Sequence, residues 1–420
     1  MAVSAPGAPV MYRAAMTTYS GSADPTTQAK VLFFEGNALF ESGLFDEAVG
    51  RYQAALALVP GRPSVLANLG ATLCRLGRWP EAVDTLEQAT RADPARREAW
   101  SALGLAYEAL SRWAEAVQTL QRALELGAAN PALRVTLAGC LLQLQRPAEA
   151  LKALDEALAL DPTMAEAWTQ RGHLLRDIGE HAEAARSFEQ ALAHGGDEAL
   201  LRFCLAPTRA NETAPAHPPR DYVEALFDSY ADEFQEHLLG HLKYQAHETL
   251  LAPLREGDRH YALVLDLGCG SGLCGQIIRP LVDAVDGVDL SQGMVKRARA
   301  SGAYRRVEHA DLLDFLRGGA EPADLVIAAD VFIYVGALDE VFAAVRQRLK
   351  PAGCFAFSLE RADPGQDLQL RPSQRYAHSQ GYVERLAQAH GFAVRRIWEA
   401  PLREDQRRPV PGLYVLLEPV

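Results

Sequence analysis

The sequence predicts an all-α superhelix of repeats followed by an α/β unit on a mostly parallel sheet. Three observations predict this order. A 34-residue period runs through the first half of the chain. A proline-rich stretch, APTRANETAPAHPPR at 206–220, breaks both helix and strand patterns. From Tyr261 onward, short aliphatic runs alternate with amphipathic segments, as they do when strands and helices alternate.

Composition bounds what the chain does. At 420 residues, two or three domains are expected. The net charge of -12 disfavours nucleic acid or an anionic membrane as the main partner, since both reward clustered Lys and Arg. The Arg-rich segment 395–408 reads as the solvated face of a hairpin. Six cysteines are scattered without C-x-x-C or Cys/His spacing, so neither a metal nor a disulfide framework is expected. No run approaches the ~20 apolar residues of a membrane span. Residues 1–28, rich in Ala, Pro, Ser, Thr and Gly, read as a disordered leader, and a cytoplasmic location is the default expectation.

The period is carried by size. Ala48, Ala82, Ala116, Ala150 and Ala184 lie 34 residues apart, and four residues after each comes Tyr52, Leu86, Leu120, Leu154 or Phe188. Twelve residues before each comes Gly36, Gly70, Gly104, Ala138 or Gly172. Small residues let two antiparallel helices approach, and large ones fill the space between them. This pattern, completed by Trp100 and Tyr107 in the third unit, resembles the tetratricopeptide repeat, with five units and a capping helix over 29–205. The resemblance implies a concave groove for a protein or peptide partner, lined by Phe33, Asn37, Phe40, Ala71, Leu105, Glu108, Gly139, His173 and Arg176. Self-association as a homodimer, or packing on the chain's own second half, is the alternative use of that face. Residues 206–220 are expected as a linker ahead of a domain at 221–420.

In the α/β unit, the stretch DLGCGSGLCG (Asp266–Gly275) follows the first strand and reads as G-x-G-x-G or G-x-G-x-x-G. Glycines there let the backbone turn tightly and approach a ligand. Sheets of this kind bind ligands beyond the carboxyl ends of their strands. Acids stand at four successive strand ends: Asp266, Asp289, Asp311 and Asp330. Four carboxylates would repel a pyrophosphate and suit a zwitterionic sulfonium nucleotide. The runs FAVRRIWE and GLYVLLE at the end of the chain are spaced for an antiparallel hairpin.

These features together resemble class I methyltransferases dependent on S-adenosylmethionine (SAM), with a Rossmann-like, seven-stranded sheet ending in an antiparallel hairpin. FDSYADEFQEHL, DVFIYVG and RYAHSQGYVERLAQAHGF narrow the resemblance to bacterial methyltransferases that carry tetratricopeptide repeats, similar to enzymes of quinone and biotin pathways. The resemblance implies that Asp266 meets the cofactor's ammonium, Gly268, Gly270 and Gly272 its amino-acid end, Asp289 its ribose and Asp311 its adenine. Leu290, Met294, Leu312 and Asp330 adjoin that site, and Tyr230 covers it from a lid helix that also carries Phe227 and Phe234. On the acceptor side, Tyr334, Tyr376 and His378 are the candidate catalytic groups, with Arg375 and Phe332 contacting substrate. His378 is the candidate base, because an ordinary imidazole titrates near neutrality. The expected function is methyl transfer to a protein, peptide or carrier-bound acceptor presented by the repeats. The alternatives are a free small acid as acceptor, with the repeats used for dimerisation, and a scaffold without chemistry.

Overall fold

The computed structural model describes residues 24–127, 130–208, 215–228, 243–256, 259–319, 321–405 and 408–420, with only the backbone of Ala225 and Asp405. The chain forms two compact units, Met1–Leu174 and Leu175–Val420. No described helix is long and apolar enough to cross a membrane.

The first unit is a run of helix pairs: α1 (Pro25–Glu41) and α2 (Phe45–Leu58), α3 (Pro63–Arg75) and α4 (Trp79–Ala92), α5 (Arg97–Ala109) and α6 (Trp113–Glu125), and α7 (Pro131–Gln143) and α8 (Pro147–Leu160). α9 (Ala165–Asp177) begins the fifth pair. The first helix starts at Pro25, inside the stretch expected as leader; Pro25, Pro63 and Pro131 open α1, α3 and α7, where a missing N–H costs nothing. Size governs the packing as the period predicts. Ala48, Ala82, Ala116 and Ala150 are wholly enclosed. A Cβ on Gly36 would sit 2.6 Å from the Tyr52 ring, and one on Gly104 2.5 Å from Leu120, so these two pairs close only over glycine, whereas the fourth accommodates Ala138. The turn between paired helices needs a left-handed residue: Gly43 and Gly77 supply it at φ 76° and 69°, whereas Ser111 and Gln145 adopt φ 57° and 56° at the same place in the repeat.

The second unit contains α10 (His181–Ala193), α11 (Glu198–Leu205), α12 (Arg220–Asp228) and one sheet. Its strands are β1 (Tyr261–Leu267), β2 (Val282–Asp289), β3 (Arg306–His309), β4 (Ala323–Ala328), β5 (Leu349–Arg361), β6 (Leu368–Leu370), β7 (Tyr376–His378), β8 (Phe392–Asp405) and β9 (Arg408–Pro419). β3-β2-β1-β4-β5 pair in parallel, and β9 joins antiparallel to β5 and β8. These seven strands are the expected sheet. A small hairpin, β6–β7, is added beside the end of β5, pairing Glu360 with Ala377. Successive residues of β1 enter opposite cores: Leu263, Leu265 and Leu267 pack with Phe342, Phe355 and Phe357, while Val264 packs with Ile278, Ile327 and Tyr414. Both faces are covered, which explains why the strands read as continuous apolar runs. The order reverses between β1 and β4, the place where such sheets open a crevice.

Residues 206–220, expected as a linker, are part of this unit where they are described. Phe203 of α11 packs on Tyr376 and Tyr222 with ring centroids 6.3 and 5.6 Å apart. The Tyr376 hydroxyl donates to Pro215 O at 2.7 Å, and Ala337 N–H to Ala216 O at 2.9 Å. Arg176, expected to face the peptide groove, is instead largely buried: its guanidinium meets Gln374 Oε1 and the Asp177 carboxylate. Within the second unit this guanidinium is thus already held by the chain's own residues.

Candidate cofactor and acceptor site

A cavity of about 690 Å³ opens at the carboxyl ends of β1, β2 and β4, within the usual size range of small-molecule sites. Its floor is the turn after β1. Gly268, Gly270 and Gly272 all take left-handed φ, at 61°, 53° and 94°. A Cβ on Gly268 would strike the Val331 side chain at 2.6 Å, so the turn and the loop after β4 close on each other only over glycine.

Asp289, at the end of β2, holds this turn. One carboxylate oxygen accepts the Gly270 N–H at 2.8 Å and the other the Ser291 N–H at 2.9 Å. Burial pushes its carboxyl above the ordinary value, opposed by those N–H bonds. Asp311 caps the next helix by accepting the Leu313 N–H at 2.7 Å. Asp289, Leu290, Met294, Asp311, Leu312, Gly268 and Gly270 all line the cavity. Gly272 does not; it caps the helix Leu273–Ile278 from behind the turn.

Two of the four strand-end acids behave otherwise than expected. Asp266 is sealed below the turn, 1% exposed, and accepts the Tyr304 hydroxyl at 2.7 Å. Burial pushes its carboxyl up to about 7. It braces the loop and does not reach the cavity, which corrects its assignment to an ammonium. Asp330 does line the cavity, at φ 59°, but its carboxylate is held by Arg403 Nη1 at 2.9 and 2.8 Å. Arg403 also meets Glu360, and its side chain is 2% exposed. The segment 395–408 was expected to be solvated; β8 folds this residue inward, and the two acids hold it there.

On the acceptor side, Tyr334 and Arg375 line the cavity, and the Tyr334 ring meets Phe227 edge to face, centroids 5.1 Å apart. His378, Tyr376 and Phe332 do not line it. His378 is wholly buried on β7, its Nε2–H donating to Gly336 O at 2.7 Å, and burial pushes the imidazole down to about 4. An enclosed ring with that bond is structural, so the expected base is corrected. Tyr376 is held by Pro215, as above, and Phe332 is packed between Phe355 and Phe357. Tyr230 and Phe234 lie outside the described residues.

Sequence reasoning missed several wall residues: His217 and Arg220, hidden in the proline-rich stretch; Tyr244 and His247, stacked at 4.9 Å and 3°; and Arg403. No period could flag them, since Tyr244 precedes the helix Ala246–Arg255 that carries His247.

Residues 265–355 match the family model of a methyltransferase domain; 39–106, 109–171 and 165–193 match tetratricopeptide repeat models. Human methyltransferase-like protein 27 is 32% identical over 132 residues, which are 30% of this chain and 51% of that protein. The malonyl-[acyl-carrier protein] O-methyltransferase of Enterobacter lignolyticus (strain SCF1) is 30% identical over 148 residues, 35% of this chain and 57% of that one. The chain thus spans about half the length of the curated relatives it matches. Among solved structures, the magnesium protoporphyrin IX methyltransferase (ChlM) of Synechocystis PCC 6803 with bound SAH aligns at 16% identity over 48% of this chain and 99% of that one, TM-score 0.39. YrrB, a tetratricopeptide repeat protein with an unusual peptide-binding site, aligns at 24% identity over 40% of this chain and 88% of that one, TM-score 0.38.

Proposed function

We propose that the methyltransferase domain behind the tetratricopeptide repeats binds SAM in the 690 Å³ cavity and methylates an acceptor that bears an acidic group and is presented by a protein or carrier partner of the repeats. One observation carries the reading: Asp289 and Asp311, acceptors at the ends of adjacent strands, share a cavity with the glycine turn. The donor set fits a nucleoside. Asp289 retains lone pairs for two ribose hydroxyls, and Asp311 retains the oxygen not used by Leu313 for an exocyclic amine. When bound, SAM supplies an electrophilic methyl on a sulfonium centre. The protein aligns and dries: Met294, Leu290 and Leu312 provide apolar walls, and Arg403 neutralises Asp330. Positioning of this kind is worth up to ~7–11 kcal/mol in favourable reactions. Arg375 and Tyr334 also line the cavity, and a guanidinium is the side-chain group that best matches a carboxylate. Proteins named for methylating a malonyl group on a carrier protein, among the relatives above, support an acidic, tethered acceptor.

Calorimetry on the full chain tests the cofactor. SAM and S-adenosylhomocysteine are expected to bind and NADH not, with Asp289→Ala weakening SAM by roughly 10- to 100-fold, as charge-assisted hydrogen bonds of ~1.5–3 kcal/mol imply. Binding of NADH, or equal affinity in the variant, overturns the reading. For the acceptor, methyl transfer to carrier-bound acids should exceed transfer to the same acids free in solution. Preference for the free acids removes the delivery role of the repeats.

A further inference from the structure

Within the first unit, Glu108 and Gly139, both expected along the groove, share a second cavity of about 300 Å³ with Glu166. These residues belong to α5, α7 and α9, the first helices of the third, fourth and fifth repeats. Val135 and Cys140 of α7 and Trp113 at the start of α6 give the cavity apolar walls.

Gly139 opens the hollow. Inside a helix, glycine is less favourable than any residue but proline. Packing requires it at Gly36 and Gly104, where a Cβ would strike the paired helix, whereas a Cβ on Gly139 would meet nothing within 4 Å. The close approach of the fourth pair is met by its neighbour Ala138, which is wholly enclosed. One period earlier the same position holds Leu105, 39% exposed, so this face of the array accepts a large side chain. What glycine supplies at 139 is space.

The charge around that space has one sign. Among the described residues, Glu108 and Glu166 line the cavity and no Lys, Arg or His does. Elsewhere in the array Glu81, Glu115 and Glu149 are each paired with an arginine. Glu108 and Glu166 have no ion-pair partner among the described residues; Glu166 accepts the Gln170 amide at 3.3 Å. The Glu108 charge is felt at the wall: burial, and then this carboxylate, push the Cys140 thiol up to about 11. A bare metal ion would find too few ligands, since no three His, Cys, Asp or Glu side chains of the described residues converge to hold one. Uncompensated acids beside apolar walls suit a cation on an aliphatic stem, which is the make-up of a lysine or arginine side chain. An indole at the rim adds attraction for such a head.

We propose that this cavity receives a lysine or arginine side chain of the protein partner, its stem over Gly139 and Val135 and its charge against Glu108 and Glu166. This rests on the repeats holding such a partner. The test is selection from a random peptide library on the immobilised full chain, followed by titration of a selected peptide by fluorescence polarisation. Selected peptides are expected to share a Lys or Arg, and replacing it with Met should weaken binding about 10-fold. Gly139→Leu, which fills the hollow, and Glu108→Gln, which keeps the shape and removes the charge, should each weaken the parent peptide by a similar factor and leave the Met peptide unchanged. Peptides without a shared basic residue, or a parent peptide that binds both variants as it binds the wild type, overturn the proposal. Spermidine bound as tightly as the peptide would assign the cavity to a free amine and overturn the partner as its occupant. A wild-type chain that selects no peptide at all would remove the partner reading of the repeats, and this proposal with it, a result distinct from the others.

Discussion

The repeats and the sheet unit place their charges differently. In the repeats, Arg78–Glu81, Arg112–Glu115 and Arg146–Glu149 recur one period apart as exposed i,i+3 pairs on single helices. In the sheet unit, charges meet across the fold and inside it. Arg403 lies between Asp330 and Glu360, 73 and 43 residues away, and Asp286, wholly enclosed, receives Arg305 and Arg306. Exposed pairs are screened and add little. Enclosed ones, once formed, punish the loss of either partner. The lesson is one of range: the array is stabilised by neighbours along the chain, and the sheet unit by residues that meet only when all of it has folded.

The largest effect should come from where each unit is cut. A fragment 221–420 loses Phe203, Pro215 and Ala216 from their places against Tyr376 and Ala337. It is expected to lack a cooperative thermal transition, whereas 165–420 unfolds cooperatively in circular dichroism. Removing α1 and α2 should leave the remaining repeats folded, since each contacts only its neighbours. A cooperative 221–420 would erase the contrast. Next, Arg403→Met takes the guanidinium from Asp330 and leaves Glu360 only Arg371, at 3.7 Å, and should cost about 3–5 kcal/mol in urea unfolding. Arg78→Ala, in the array, should not shift the urea midpoint.

A smaller effect is pH-dependent. Asp266 is held up to about 7 in the folded state, against 3.8 for the ordinary group. A raised acid contributes stability that is full below the unfolded value and lost as pH rises through the folded one. Asp266→Asn, which keeps an acceptor for Tyr304, should match the wild type near pH 4 and exceed it by roughly 2–4 kcal/mol at pH 8. Parallel pH profiles would show that Asp266 is ionised in place. The smallest effect belongs to the array: Ser111→Gly and Gln145→Gly, at φ 57° and 56°, should each stabilise by about 0.5–1 kcal/mol in urea melts.

The same difference in range explains what was legible. Ala48, Tyr52 and Gly36 could be assigned from spacing, because the partner of each lies on the adjacent helix at a fixed offset. Asp289 and Asp311 could be placed beside the crevice because strand ends face it and their partners, the Gly270 and Leu313 N–H groups, belong to adjoining turns. Asp266 and Asp330 had the same sequence signature, yet Tyr304, 38 residues on, and Arg403, 73 residues on, decide what their carboxylates do. His378 was grouped with Arg375 by proximity in the chain. Its strand carries it beneath Gly336, while Arg375, ahead of the strand, stays on the cavity wall. Arg176 has the spacing of a groove residue, yet Gln374, 198 residues on, takes its guanidinium.

Residue order alone determined the helical period, the strand alternation, the glycine turn and the terminal hairpin, since each depends on side-chain size or backbone freedom over a few neighbouring positions. Only the tertiary structure decided which acids remain open to a ligand and that His217, Pro218 and Arg220 line the cavity. Those properties depend on burial and on contacts between distant segments, and an ionisable group takes its chemistry from the surroundings that folding brings to it.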